Sequence, residues 1–423
     1  MRLTKTLATA CAWLSFGTGC LSYRRLRYSR LDVGVLLYLI KLMAGALAPI
    51  LSVLGLVGVA QGLLSKMPLT ALAGGIGALL SAHYVRWVAA PHDSFERAFG
   101  ADWRDRIPAG RSSPMLKSRW TCWIPALPRP YVTRDVPFCT IPGTDRHLLC
   151  DIWQPGPGVA PSGLALIYLH PGGWQDLDKG VRTRPFFRHL AAQGHLVMDV
   201  AYRLSHETDL FGMLGDVKRA IVWIKANAAR YAVDPRRVVA AGGSAGGHLA
   251  LLAAYTPNHP RLDPEDMRGN DTSVRTVVSF YGVPDLCRLG WESGEPSSPL
   301  VLALCRKLGF VTPHEHLDGP ELMRKLLGGL PQEVPDVAAL LSPITHVAPG
   351  CPPTLLLHGS HDRVIPVERA RELYEAPYRA AVQVTYLELP WVEHAFDLAG
   401  PRISPSAQAA LYDVERFLAL MAV

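Results

Sequence analysis

The sequence predicts an α/β protein: a mostly parallel sheet with helices on both faces, a cap insertion, and a helical region of transmembrane type ahead of it. Three observations predict this. From about residue 131 onward, short continuous apolar runs alternate with helical patterns, as in a parallel sheet buried on both sides. One run, Val238-Val239-Ala240-Ala241, passes directly into Gly242-Gly243-Ser244-Ala245-Gly246-Gly247 and then into an apolar helical stretch. The first ninety residues hold two long apolar runs with almost no charge.

At 423 residues the chain has room for one catalytic domain and an extension. Hydrophobic residues make up 49% and charged residues 19%, and the mean hydropathy is +0.14. That composition is globular, with the apolar excess concentrated before residue 90. The net charge is +7. No nucleic-acid motif accompanies it, and many arginines lie beside the apolar N-terminal segments, so an anionic lipid surface is the better match and no nucleic-acid partner is expected. The eight cysteines lack metal-type spacing, so neither metal nor cofactor is implied. Cys139 and Cys150 flank a turn-like stretch at residues 141–146. A hairpin there would bring them together, as a disulfide or as two half-buried thiols.

Residues 1–90 read as a membrane anchor. Residues 1–22 carry Arg2 and Lys5 ahead of a short apolar run, the order of a secretory leader, but Thr, Ser and Gly break its core and Gly17-Thr18-Gly19-Cys20 is a poor processing site. A long apolar stretch follows at 31–64, with Asp32 and Lys41 as its only charges. Residues 44–64 are long enough to span a bilayer, Pro49 is placed to kink the span, and residues 31–43 read as an interfacial lead-in. Residues 69–90 form a second run. Arg24, Arg25, Arg27 and Arg30 precede the pair, and Arg86, Arg97, Arg104 and Arg106 follow it, while the turn between them holds only Lys66. The positive-inside rule then puts both ends and the catalytic domain on the cytoplasmic side; if residues 7–21 also span, the N-terminus moves to the other side and the anchor becomes three-pass. Residues 91–130, rich in Pro, Arg and Trp, read as a juxtamembrane linker. Trp103, Trp120 and Trp123 there suit either the lipid interface or ordinary packing.

Residues 131–423 read as the catalytic domain. Strands are expected at 164–169, 195–201, 238–241, 274–280, 353–357 and 382–387, and helices at 186–193 and 216–230. A last helix starts at Ser404-Pro405, with serine as N-cap and proline in the first turn. Residues 284–348 break the alternation and read as an insertion that caps the site.

The chemistry starts at Gly242-x-Ser244-x-Gly246. A serine held on a sharp strand-to-helix turn has its hydroxyl clear of the sheet, and glycines two residues either side remove the Cβ atoms that would clash there. A hydroxyl is a weak nucleophile, so it needs a base, and the base needs an orienting acid. Asp362 lies in the loop after one late strand and His394 in the loop after the next, where catalytic groups of open α/β sheets gather. The chain order Ser244, Asp362, His394 fits this architecture, leaving His248, His358 and His361 as decoys. Gly172 and Gly173, in the loop after an early strand, and Ala245, next to the serine, are the candidate oxyanion donors.

These residues resemble the bacterial hormone-sensitive-lipase-like esterases and the related feruloyl-esterase-like hydrolases, from about Asp135 to the C-terminus. His170-Pro171-Gly172-Gly173-Trp174 is similar to their His-Gly-Gly-Gly-Trp, and Tyr202-Arg203-Leu204-Ser205-His206-Glu207 to their Tyr-Arg-Leu-x-Pro-Glu. Pro171 stands where the family has glycine, but the family's donors are the next two glycines. With its apolar N-terminus, the layout also resembles membrane-associated carboxylesterases of mycobacteria and related actinobacteria. The resemblance implies an α/β-hydrolase fold and hydrolysis of small-molecule or lipid esters through a Ser-His-Asp triad and an acyl-enzyme. Two other readings use the same residues. The His-Pro-Gly-Gly-Trp stretch is also similar to the His-Gly-Gly-x-Trp of kynurenine formamidases, which implies an amidase. A catalytically inactive membrane-bound binding protein would keep the fold alone.

Overall fold

The computed structural model describes residues 2–26, 31–108, 114–122, 124, 126–289, 303, 306–307 and 317–422. Its described strands form one eight-stranded sheet in the order β1-β2-β4-β3-β5-β6-β7-β8. They are β1 (Tyr131–Thr140), β2 (His147–Gln154), β3 (Ala165–Leu169), β4 (Leu196–Val200), β5 (Val238–Gly243), β6 (Thr276–Phe280), β7 (Thr354–Gly359) and β8 (Val384–Leu389). The β1-β2 hairpin is antiparallel and pairs antiparallel with β4, and every later pairing is parallel.

Every residue of β3, β4, β5, β6 and β7 is buried, which explains why their sequences are mostly apolar. Successive side chains still take opposite faces. Ile152, Ile167, Met198 and Ala240 pack with helices α7 (Leu210–Ala226) and α8 (Ala245–Tyr255). Trp153, Leu166, Val197 and Val239 pack with α6 (Arg184–Ala192) and α12 (Pro405–Met421).

Some boundaries differ from those read in the sequence. Helix α7 begins at Leu210 rather than 216, because Asp209 caps it by accepting from the Gly212 N–H and Leu210, Met213 and Leu214 are buried. Strand β8 runs two residues later than expected. Cys139 and Cys150 are free thiols. Register shifts in the hairpin set Cys139 opposite Leu148 and Cys150 opposite Val136.

The N-terminal region forms α1 (Arg2–Tyr23), α2 (Leu31–Ala46), α3 (Ala48–Leu64) and α4 (Pro68–Val88). The span expected at 44–64 bends near its start, beside Pro49: α2 and α3 meet at Leu47 with an 82° bend, and Pro49 sits in the first turn of α3. The expected interfacial lead-in is instead buried in part. Lys41, Leu42, Ala44 and Ala46 of α2 lie in the interior, and Leu42 and Ala46 join the same core as Phe417 of α12. Among the described residues, Pro68–Val88 is long and apolar enough to cross a membrane, and the bent pair Gly34–Ala46 and Ala48–Leu64 makes a second candidate if taken as one span.

Helices α1, α3 and α4 meet through small residues. A Cβ at Gly58 would lie 2.6 Å from the Ala12 side chain. Ser15 donates to the Leu51 carbonyl at 2.8 Å.

Among the described residues of 91–130, Ser94 bonds to β8 and Leu116, Arg119 and Thr121 bond to α12. Helix α5 (Ser94–Phe99) brings Phe95 onto Trp103 at a ring separation of 4.7 Å. Trp120 donates to the Ile403 carbonyl. Trp103 and Trp120 are thus packing residues, and Trp123, Arg27 and Arg30 lie outside the described residues.

Part of the expected cap, including 290–302, also lies outside them. Its described end forms α9 (Gly319–Leu327) and α10 (Pro335–Leu340), which pack Leu322, Leu326 and Ala338 into the core around α8.

Candidate active site

Strand β5 ends in small residues because the chain must turn sharply there under two neighbouring strands. Ser244 has φ 53° and ψ −118°, a region that costs a residue with a Cβ on the order of 1–3 kcal/mol unless its surroundings hold it. Its surroundings do. Its N–H donates to the Phe280 carbonyl at 2.9 Å. A Cβ on Gly242 would lie 2.4 Å from the Gly246 carbonyl carbon, and one on Gly246 would lie 2.1 Å from the Leu169 oxygen. The turn leads into α8, whose N-terminus points positive partial charge at the serine.

The loops after β7 and β8 bring two distant residues to this hydroxyl. His394 Nε2 is 3.0 Å from Ser244 Oγ, and its Nδ1 is 2.7 Å from Asp362 Oδ2. The carboxylate partner keeps the imidazole proton on Nδ1, so Nε2 accepts from the serine hydroxyl. Asp362 Oδ1 accepts from the backbone N–H groups of Val364 and Ile365, each at 2.8 Å. Burial alone would raise the Asp362 carboxyl. The charge and hydrogen bond of His394, with the Ile365 N–H, outweigh it and hold the carboxyl below the usual range. An aspartate that stays ionised beside an imidazole stabilises the cation formed when the imidazole takes a proton, so the arrangement can activate an oxygen nucleophile.

The loop after β3 supplies Gly172 (φ 133°) and Gly173 (φ 59°). At Gly172 a Cβ would lie 1.9 Å from the Asp176 oxygen, whereas at Gly173 it would meet nothing within 4 Å. Among the described residues, the backbone N–H groups of Gly173 and Ala245 have no hydrogen-bond acceptor, so both are free to meet an anion. Pro171 lacks a donor but gives its carbonyl to His170 Nδ1 at 2.8 Å. His170 stacks on Tyr202 at 4.3 Å. Arg203 makes a two-pronged contact with the buried Asp216 at 2.8 and 2.7 Å, which is structural. The exposed His206 takes no part in it.

The decoy histidines have other work. His248 accepts from the Trp174 indole at 3.3 Å and donates to the Leu341 carbonyl at 2.8 Å, and burial lowers it to about 4. His358 donates to the Ile365 carbonyl at 2.9 Å. His361 points away from the serine, toward α2.

Several neighbours of the site were not read from the sequence. The Tyr281 ring packs 4.4 Å from the His394 ring, and its hydroxyl donates to Asp397. Burial raises the Asp397 carboxyl to about 6. A cavity of about 300 Å³ is lined by Asp397, Phe186, Phe280 and Leu398; Ser244 is not among its lining residues. Tyr38 and Lys41 of α2 reach the His394 loop. One signal did mark Lys41: a lone cation in an apolar helix needs a partner.

Comparison with known proteins gives the family. The BD-FAE family model matches residues 150–376. The chain belongs to the BD-FAE family. The BD-FAE match takes in Ser244 and Asp362 and stops before His394. Three relatives from Mycobacterium tuberculosis are similar. The probable carboxylic ester hydrolase LipM is 36% identical over 280 residues, covering 66% of this chain and 58% of LipM. Esterase LipQ is 32% identical over 332 residues, covering 76% and 72%. Esterase LipC is 36% identical over 270 residues, covering 63% and 62%. The chain thus spans about three fifths of the length of LipM and LipC. Among solved structures, Thermogutta terrifontis esterase 2 phosphonylated by sarin matches with a TM-score of 0.51 at 25% identity, over 69% of this chain and 95% of that one. The BD-FAE domain here has the α/β-hydrolase fold.

Proposed function

We propose that this BD-FAE protein is a serine hydrolase that cleaves carboxylic esters through an acyl-enzyme. The observation that carries the reading is the chain of two contacts, 3.0 Å from Ser244 Oγ to His394 Nε2 and 2.7 Å from His394 Nδ1 to Asp362 Oδ2. The names of LipM, LipQ and LipC, each an esterase or ester hydrolase, support it.

In this reading Ser244 Oγ bonds to the ester carbonyl carbon while His394 Nε2 takes its proton. Asp362 holds the imidazole tautomer and stabilises the imidazolium. The N–H groups of Gly172, Gly173 and Ala245 stabilise the oxyanion. His394 then returns the proton to the departing alkoxide, and water, deprotonated by the same imidazole, releases the acid and frees Ser244. The segment at 284–348 serves as the cap. Its described end is held to the loop after β3 by Gln175, whose side chain accepts from the Leu317 N–H at 3.0 Å.

Residues 1–90 act as a membrane anchor in this reading, which makes lipid esters as well as small soluble esters candidate substrates. Exposed apolar side chains on α3 and α4, among them Val53, Leu56, Leu64, Leu72 and Leu79, support it. The arginines at its outer ends favour a catalytic domain on the cytoplasmic side. A C-terminal reporter fusion tests the sidedness.

Turnover of p-nitrophenyl esters of increasing chain length, with Ser244→Ala alongside, tests the chemistry. The substitution is expected to lower kcat by at least about 10⁴-fold and to abolish labelling by a fluorophosphonate. Labelling of Ser244→Ala, or failure to label well-folded wild type, would overturn the assignment. Faster turnover of formyl-anilides than of esters would favour an amidase.

A further inference from the structure

His394 sits on a loop that does not hold itself. Trp391 and Ala395, on either side, adopt φ 61° and 58°, unfavourable for residues with a Cβ, so contacts from outside must fix the loop. Within the catalytic domain, Trp391 N–H donates to Ser360 Oγ at 2.7 Å, and His361 N–H donates to the Val392 carbonyl at 3.0 Å. Further contacts come from α2, more than three hundred residues away in sequence. Tyr38 OH donates to the carbonyl of His394 itself at 2.9 Å. Lys41 Nζ has three protons, and the structure gives it three acceptors: Glu393 Oε1 at 2.8 Å, His361 Nδ1 at 2.9 Å and the Arg24 carbonyl at 2.8 Å. Glu393 adjoins His394, and His361 adjoins Asp362. One ammonium therefore joins the neighbour of the base to the neighbour of the acid. Glu393 Oε2 accepts from the Arg363 N–H at 3.3 Å, and the Arg363 guanidinium donates to the Gly34 carbonyl of α2.

The Lys41 and Glu393 side chains are 2% and 1% exposed. An ion pair so buried is a weak source of stability, because removing both charges from water offsets most of their attraction, and a well-packed apolar pair would stabilise about as well. What it supplies that an apolar pair does not is direction. Each proton of the ammonium fixes one oxygen or nitrogen at a set distance.

We propose that Tyr38 and Lys41 are positioning residues: helix α2 fixes the His394 loop against the Asp362 loop, so the N-terminal region completes the catalytic geometry as well as adjoining it. The inference rests on the reading of Ser244, His394 and Asp362 given above. Proton transfer requires the serine-to-imidazole contact, and displacement of such a contact by about 1 Å lowers rates by up to roughly 100-fold.

The test uses the full-length protein with Tyr38→Phe, Lys41→Met and Lys41→Met/Glu393→Gln. The double variant leaves no unpaired buried charge and keeps the question answerable if Lys41→Met alone fails to fold. Active sites are counted by the endpoint of fluorophosphonate labelling, and kcat is expressed per labelled serine. Tyr38→Phe and the double variant are each expected to lower kcat about tenfold with KM nearly unchanged. A merely structural role would lower the melting temperature and the number of active sites while leaving kcat per site at the wild-type value. That result in both variants would overturn the inference and leave the function of Ser244 intact. Undiminished turnover by Ser244→Ala, run in parallel, would overturn the reading of the site and this inference together.

Discussion

Ser244 keeps an unfavourable backbone conformation because its neighbours allow no other, and the same crowding makes Gly246 irreplaceable. A methyl group there would meet the backbone oxygens of Leu169 and His170 at 2.1 and 2.6 Å, and neither can withdraw without disturbing β3. Gly246→Ala is expected to destabilise the fold by more than about 3 kcal/mol, read as a lower urea midpoint. Asp397 offers a test by pH. Its carboxyl has an ordinary value of 3.8 and is raised to about 6 by burial. Between those values the folded protein holds a proton that the unfolded chain releases. Stability from this group is therefore complete below about pH 4, falls as pH rises toward 6, and levels off above. Asp397→Asn, which cannot ionise, should remove that fall. Urea midpoints of wild type and variant at pH 4.5 and pH 7 check it; an equal difference between the two proteins at both values would contradict it.

Among the elements, central strands were legible and helix starts less so. Strands β3, β5 and β7 are buried on both faces, so each carries an apolar run with no alternation and does not read as half-exposed structure. Helix α7 starts in Leu210-Phe211-Gly212-Met213-Leu214-Gly215, where two glycines read as loop. The deciding features are the Asp209 cap and the burial of Leu210 and Met213, and burial shows only once the sheet is assembled. Asp209→Ala is expected to cost about 1 kcal/mol in chemical denaturation, since the Gly212 N–H loses its acceptor at 2.9 Å. The site divides the same way. Ser244, Asp362 and His394 stand in local patterns that announce them, and the fold sets them within hydrogen-bond distance. Tyr38, Tyr281 and Asp397 stand in no pattern, and Lys41 is marked only as a lone cation in an apolar helix. Tyr38 lies 356 residues from His394, and only folding makes them neighbours.

At the scale of the whole molecule, the N-terminal helices and the sheet share one core. Leu42, Ala46, Tyr84, Val85 and Val88 pack with Phe417, Leu418 and Phe396. Removing residues 1–90 exposes that apolar face and strips the His394 loop of Tyr38 and Lys41. The truncated protein is expected to bind a hydrophobic dye and to lose turnover at least as completely as Tyr38→Phe. A monodisperse fragment with wild-type kcat would contradict this. The bend at Leu47 then takes on a meaning beyond its angle. Helix α2 is fastened to the loops of the site, and α3 leaves it at 82° to join α1 and α4, so the catalytic body is mounted on a rigid bracket rather than a flexible leash. Were the proposed anchor to enter a bilayer, the site would be carried at one height and tilt above it, and the proposed esterase would then choose its ester by the depth at which it is presented before its shape is sampled.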